Sequence, residues 1–315
     1  MKPHVSIVIP AKDEAESLPE LVDQIRSVCE TNKLHFEAWI IDDGSKDDSW
    51  AVISQLQSKD ARFKGVRFAR NYGKSAALSV GFARATGNYV VTMDADLQDD
   101  PAEVPEMIQM LENGLDLVSG WKKKRNDPLG KTIPSKLYNY GTRLVSGIPL
   151  HDFNCGLKAY RVEVVKMVKV YGELHRYIPL LAKWEGFTRI GEKVVNHRAR
   201  KFGHTKFGWE RGLRGFLDLI TLSFLTRFAI RPMHFFGGLG LLAFFIGFLI
   251  GAWLSVEKIF WLQPIGDRPL LMLAMLLMLL GAQSFMTGLL GEMLLKPTLE
   301  GNEQYQIREE TSTSD

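Results

Sequence analysis

Two long stretches without charge constrain this chain before any other feature. Phe235 to Leu254 runs 20 residues without a charged side chain, and Leu270 to Gly291 runs 22, its most polar members being Gln283, Ser284 and Thr287. About 20 apolar residues is the length an α-helix needs to cross the hydrocarbon layer, and two such runs in tandem predict a pair of membrane helices. A buried core helix is the competing reading of each run. The connection, Ser255 to Pro269, balances Lys258 and Arg268 against Glu257 and Asp267. By contrast Arg211, Arg214, Arg227 and Arg231 precede the first run and Lys296 follows the second. The positive-inside bias therefore predicts a helical hairpin that crosses the membrane twice, with both termini in the cytoplasm.

The rest of the chain is unlike this. Residues 1–206 mix charged and apolar residues as a soluble α/β domain does, and 46% hydrophobic residues over the 315-residue chain suffice for a core. Residues 207–234 are part apolar and part basic, which predicts interfacial helices beside the membrane, an amphipathic helix packed on the soluble domain being the alternative. Residues 296–315 are polar and read as a disordered cytoplasmic tail. A formal charge of +3 gives no case for nucleic acid binding. Two cysteines, Cys29 and Cys155, make no disulfide framework and suit a reducing compartment. The opening Met1 to His4 runs straight into Val5 to Ile9 without an h-region, so no signal peptide is expected.

Within the soluble half, Val5 to Ile9, Phe36 to Ile41, Val66 to Ala69, Tyr89 to Met93 and Leu115 to Ser119 are short runs rich in β-branched or aromatic residues. Helix-length segments separate them, Glu14 to Cys29, Asp48 to Ser58, Lys74 to Ala85 and Ala102 to Asn113. This alternation predicts a mainly parallel sheet. The strand ends are polar: Pro10-Ala11-Lys12-Asp13-Glu14, then Asp42-Asp43-Gly44-Ser45, then Arg70 to Lys74, then Asp94-Ala95-Asp96-Leu97-Gln98-Asp99-Asp100. In an open α/β sheet these ends share one edge, where ligands bind. Carboxylates at Asp94 and Asp96 with the amide oxygen of Gln98 suit a hard divalent ion, and Mg²⁺ or Mn²⁺ bound in this way completes its shell with phosphate oxygens. An acidic helix start led by Pro101 accounts for the same run without an ion, and Asp99 and Asp100 are read in that way. Neither a Gly-x-Gly-x-x-Gly after the first strand nor a Walker A sequence occurs.

These motifs together resemble family 2 glycosyltransferases of the GT-A fold, and within them the polyprenyl-phosphate sugar transferases typified by dolichyl-phosphate mannose synthase. Relatives often carry Ala-Tyr-Asn-Glu where this chain has Ala11-Lys12-Asp13-Glu14. The resemblance implies a Rossmann-like GT-A domain followed by a transmembrane hairpin. It further implies a nucleotide-sugar site at Pro10, Lys12, Glu14, Ile41, Asp42, Asp43, Lys74, Asp94 and Ala95, with Asp94, Asp96 and Gln98 holding Mg²⁺ or Mn²⁺. Lys122, Arg125, Lys131, Ser135, Arg200 and Lys206 would receive an anionic acceptor, although the family often has arginine where Lys122 stands. Arg198 and Lys201 add to this basic group. A solvated face or a patch for anionic lipid is the alternative reading of these cations. The run His151-Asp152-Phe153-Asn154-Cys155-Gly156-Leu157-Lys158 resembles an acceptor-side motif, with Asp152 and Asp96 as the catalytic carboxylates.

The activity so implied is inverting transfer of one sugar from a UDP- or GDP-linked donor to a polyprenyl phosphate, undecaprenyl or dolichyl, at the cytoplasmic face. A phosphate monoester is largely dianionic at pH 7, so Asp152 can orient the nucleophile without deprotonating it. A membrane glycosyltransferase acting on a sugar or lipid hydroxyl is the alternative; it needs a true general base, and a processive one usually carries Gln-x-x-Arg-Trp, which is absent here. A non-catalytic scaffold is a third reading, against which stands the acid constellation itself. The sugar, the polyprenol length and homo-oligomer formation are not fixed by these residues.

Overall fold

The structure is a computed structural model that describes residues 2–123, 139–198, 201, 232–261, 264 and 269–300, the last six as backbone only. The chain divides into two compact units, Met1–Leu219 and Ile220–Asp315.

The first unit is built on one seven-stranded sheet. Its strands are β1 (Val5–Ala11), β2 (Phe36–Asp42), β3 (Phe63–Arg67), β4 (Tyr89–Thr92), β5 (Leu117–Trp121), β6 (Lys158–Arg161) and β7 (Ile190–Val194), in the order β3-β2-β1-β4-β6-β5-β7. β1 pairs in parallel with β2 and β4, β2 with β3, and β5 with β7. β6 is antiparallel to both its neighbours, β4 and β5. Six strands thus run one way and one runs back between them, a mixed, mostly parallel sheet.

Strand alternation sends alternate side chains to opposite faces, and the two faces build separate cores. Val5, Ile7, Ile9 and Val91 meet α1 (Leu18–Thr31), α2 (Ser49–Lys59) and α4 (Val104–Glu112) on one side. Val8, Val90, Leu117 and Tyr160 meet α3 (Lys74–Arg84), α6 (Val162–Met167) and α7 (Ile178–Trp184) on the other. Residues 139–146 form the helical segment α5. Pro10, deep in a strand register, is tolerated because β4 pairs with β1 only as far as Val8, so the missing N–H breaks no ladder on that side.

Several boundaries differ from the sequence reading. β3 begins at Phe63, not Val66, because Phe63 is the buried anchor and Asp60 turns the chain into it, accepting from the Arg62 N–H at 3.0 Å. α1 begins at Leu18, after a tight turn in which Ser17 donates to the Glu14 carbonyl at 3.0 Å. β6 and β7 are additions.

In the second unit the helices Pro232–Trp261 and Pro269–Glu300 are long and apolar enough to cross a membrane. Backbone helix therefore reaches Glu300, into the segment read as a tail, and the first helix extends past both ends of its apolar run. Once an apolar run has nucleated a helix, extending it costs little, although Pro297 brings no N–H to the second helix. The remainder of the juxtamembrane and tail segments lies outside the described residues. The packing is inside out by the standard of a soluble protein: Phe245, Leu249, Leu279 and Leu294 are exposed, while Gly237, Gly240 and Gly247 are buried. A Cβ on Gly240 would fall 2.6 Å from the Gly281 carbonyl oxygen, and one on Gly281 would fall 2.6 Å from that of Gly240. The helices touch backbone to backbone, as small residues allow between helices in lipid. Gly281→Leu must force them apart at a cost of about 1–3 kcal/mol. We expect it to lower the thermal midpoint of the detergent-solubilised protein, whereas Leu249→Ala on the outward face leaves that midpoint unchanged.

Candidate active site

The loops after β1, β2 and β3 are laced together by their own polar groups. Ser45 Oγ accepts from the Asp13 N–H at 2.9 Å, Ser49 Oγ accepts from the Glu14 N–H at 2.9 Å, and Asp13 Oδ1 accepts from the Lys46 N–H at 2.8 Å. Asp42 is fully buried; its Oδ1 accepts from the Ser45 N–H at 2.8 Å, and its Oδ2 lies 3.4 Å from Arg67 Nε. Asp43 accepts from the Tyr72 N–H at 2.7 Å and the Gly73 N–H at 3.0 Å. Both carboxylates act first on the protein's own backbone, Asp42 closing the turn after β2 and Asp43 fixing the loop after β3 against it.

Between these loops opens a cleft of about 610 Å³, its charged lining being Lys12, Lys46, Arg67 and Arg70. Of the nucleotide-site residues read from the sequence, Lys12 lines this cleft, while Pro10, Glu14, Ile41, Asp42 and Asp43 do not. Ile41 is buried in the sheet. The cleft is cationic, which suits a phosphate-bearing ligand.

The loop after β4 closes on itself. Asp96 Oδ1 accepts from the Gln98 N–H at 3.2 Å, and Asp99 Oδ2 accepts from the Asp94 N–H at 3.2 Å. Leu97, buried between them, adopts φ +62°, a left-handed conformation costly for a branched side chain. Asp94 is paired with Lys74. Burial alone would raise the Asp94 carboxyl, yet Lys74, with Lys122 farther off, holds it down at about 2, ionised at neutral pH. Ala95 is buried.

Asp99 and Asp100 part company here. Asp100 caps the helical start as expected, accepting from the Ala102 N–H at 3.0 Å, and meets Arg198 at 2.7 Å. Asp99 turns inward instead, nearly inaccessible, with Oδ1 3.1 Å from Lys122 Nζ. The reading of Asp99 as part of an acidic helix start is corrected: a buried carboxylate needs a buried cation, and Lys122 supplies it. Burial works against the Lys122 ammonium, but Asp99 and then Cys155 and Asp94 raise its pKa above the usual lysine value. Lys122 is thus committed to Asp99 rather than presented as a free phosphate ligand. Arg198 and Lys201 are likewise paired, Lys201 with Glu20 at 2.6 Å. Arg125, Lys131, Ser135, Arg200 and Lys206 lie outside the described residues.

The run 151–158 comes to the same place. Asp152 is almost wholly buried, and its Oδ1 accepts from the Asn154 N–H at 3.0 Å. Gly156 passes so close to Asp94 that a Cβ would lie 2.5 Å from Oδ2, while Thr92 Oγ1 donates to the Gly156 carbonyl at 2.9 Å. Lys158, buried at the start of β6, donates to the Phe153 carbonyl at 3.1 Å, and burial lowers its pKa. His175, its Nδ1 3.1 Å from Ser75 Oγ, is pushed down to about 3 by burial and then by Lys74, so it is neutral. Burial drives the Cys155 thiol up to about 12 and keeps it unreactive. Sequence reading did not single out His175 or Glu192 as parts of this region, and it gave Lys158 no role of its own.

Against known proteins, residues 6–168 match the model of glycosyl transferase family 2. This chain belongs to that family. The dodecaprenyl-phosphate galacturonate synthase of Rhizobium johnstonii (strain DSM 114642 / LMG 32736 / 3841) is 38% identical over 296 residues, covering 93% of this chain and 88% of that one. The undecaprenyl-phosphate 4-deoxy-4-formamido-L-arabinose transferase of Pseudomonas syringae pv. syringae (strain B728a) is 36% identical, covering 93% and 87%. Among solved structures, glucosyl-3-phosphoglycerate synthase of Mycobacterium tuberculosis in complex with Mn²⁺ and uridine-diphosphate-glucose superimposes with a TM-score of 0.54 at 20% identity, over 71% of this chain and 79% of that one. The shared architecture is the GT-A fold, and this family 2 chain is a glycosyltransferase.

As to a metal, among the described residues no three His, Cys, Asp or Glu side chains converge on one point. The donor chemistry fits nonetheless: Asp94 is held ionised, Asp96 stands two residues on in the same loop, and a cation, the Lys74 ammonium, already rests on Asp94. Removing one partner of the buried Asp99–Lys122 pair strands the other. Asp99→Asn is expected to cost about 3–5 kcal/mol and to lower the thermal midpoint of the protein, whereas Asp99→Asn with Lys122→Met recovers most of that loss.

Proposed function

We propose that this glycosyltransferase moves a single sugar from a UDP- or GDP-linked donor onto a polyprenyl phosphate, with inversion at the anomeric carbon, giving a polyprenyl-phosphate sugar. The observation that carries the reading is the contact of Gly156 with Asp94, since it sets the run that holds Asp152 against the carboxylate loop assigned to the donor diphosphate. The relatives at 36–38% identity are named for transfer to dodecaprenyl or undecaprenyl phosphate, which supports the acceptor class. Their sugars differ, so the donor sugar is left open.

In this reading the cationic cleft of Lys12, Lys46, Arg67 and Arg70 takes the nucleotide, and its diphosphate extends toward Asp94 and Asp96. Asp94, Asp96 and Gln98 would hold Mg²⁺ or Mn²⁺, and a bound ion would neutralise charge on the departing nucleoside diphosphate. Lys74 adds a fixed positive charge at the same point. Asp152 orients the acceptor phosphate, which at neutral pH is already a nucleophile. The two apolar helices anchor the enzyme in the cytoplasmic membrane with the catalytic unit and both termini on the cytoplasmic side. There they raise the effective concentration of a lipid acceptor that never leaves the bilayer.

The test is transfer by purified protein from a panel of radiolabelled UDP- and GDP-sugars to a short-chain polyprenyl phosphate, with and without Mg²⁺ or Mn²⁺. Asp96→Ala is expected to reduce divalent-dependent transfer by roughly 10²–10³-fold. Undiminished activity of that variant sinks the metal assignment. Transfer to free sugars or lipid alcohols, with the polyprenyl phosphate ignored, sinks the acceptor.

A further inference from the structure

Two residues on the last strands of the sheet grip the backbone of Asp152 from either side. Ser119 of β5 and Glu192 of β7 are register partners across a parallel ladder. Both reach the backbone of Asp152, Glu192 at its N–H and Ser119 at its carbonyl. Glu192 Oε1 accepts from the His151 N–H at 2.7 Å and from the Asp152 N–H at 3.2 Å. Ser119 Oγ, fully buried, donates to the Asp152 carbonyl at 3.3 Å. Glu192 Oε2 meets His151 Nδ1 at 2.7 Å, and the His151 ring is stacked on Trp121 with centroids 4.1 Å apart. One carboxylate therefore gathers two backbone donors and an imidazole, and one hydroxyl secures the far side of the same residue.

We infer that Glu192, assisted by Ser119, is the positioning residue for Asp152. The inference rests on the proposed role of Asp152 at the acceptor. Neither Glu192 nor Ser119 need touch substrate; their effect is to fix the direction in which the Asp152 side chain leaves the backbone. Adjacent N–H groups converging on one oxygen define that direction better than a single bond does, and a carboxylate acceptor forms the stronger kind of hydrogen bond. Misplacement of a reacting group by about 1 Å costs up to 10²-fold in rate.

The experiment compares Glu192→Ala, Glu192→Gln and Asp152→Asn with both double variants, reading kcat, donor KM and amide hydrogen exchange at residues 151 and 152. Glutamine keeps an oxygen able to accept both backbone donors, so Glu192→Gln is expected to stay within about threefold of the parent. Glu192→Ala is expected to lower kcat by about 10- to 100-fold with donor KM unchanged and to speed exchange at both amides. In an Asp152→Asn background the same alanine substitution is expected to cost no more than about twofold, because residues acting through one another are not additive. Losses that multiply, or glutamine as damaging as alanine, overturn the inference. Should Asp152→Asn alone leave kcat unchanged, the reading of Asp152 fails first, and the inference with it; the amide exchange still separates that outcome from a loop that Glu192 does not hold. If the alanine variant does not accumulate, Ser119→Ala gives the same comparison from the other side of the peptide.

Discussion

A single reversed strand governs where chemistry can gather in this molecule. Parallel strands deliver the loops that follow them to one edge of a sheet, and the loops that lead into them to the other. β6 runs the opposite way, so the loop leading into it lands on the edge where its neighbours end. That loop is 151–157, and its neighbour there is the carboxylate loop after β4. Had β6 been parallel, Asp152 and Asp94 would stand at opposite ends of the domain. Hydrogen bonding between short strands thus decides which residues share a site, before any side chain contributes.

What gathers there must also be neutralised. Asp94, Asp99 and Asp152 are packed close to Lys74, Lys122 and Lys158, and the low polarity of the interior makes every charge depend on its neighbours. The left-handed Leu97 belongs to the same arrangement. It bends the chain so that Asp96 turns back on Gln98 while Asp99 turns in toward Lys122, a geometry that an extended backbone does not allow. Strain at one residue is held by ion pairs at others.

The sequence made the scaffold legible where periodicity was long. β1, β2 and β4 stand out because several consecutive apolar residues are buried on both faces, and the membrane-length helices because their length exceeds what a soluble core requires. β6 was not legible. Lys158 to Arg161 offers only four residues, with charged groups at both ends, and its Lys158 is buried by tertiary packing that no local pattern records. Asp94 and Asp96 drew notice by their spacing alone, and Asp152 through a motif. The partners that give them their state were not, since Asp99–Lys122 and Asp152–Glu192 link residues 23 and 40 apart, contacts that arise only once the sheet order is set.

The close passage of Gly156 over Asp94 leaves no slack between the two loops. A backbone against a carboxylate cannot be compressed as two flexible side chains can, so a displacement of either loop is transmitted whole to the other. Diversification of this enzyme is therefore expected to be correlated: changes that reshape the turn through 152–157 will be tolerated chiefly when the loop after β4 shifts with them. A library that randomises one loop while freezing the other samples mostly broken molecules, and one that varies both as a unit has room to move.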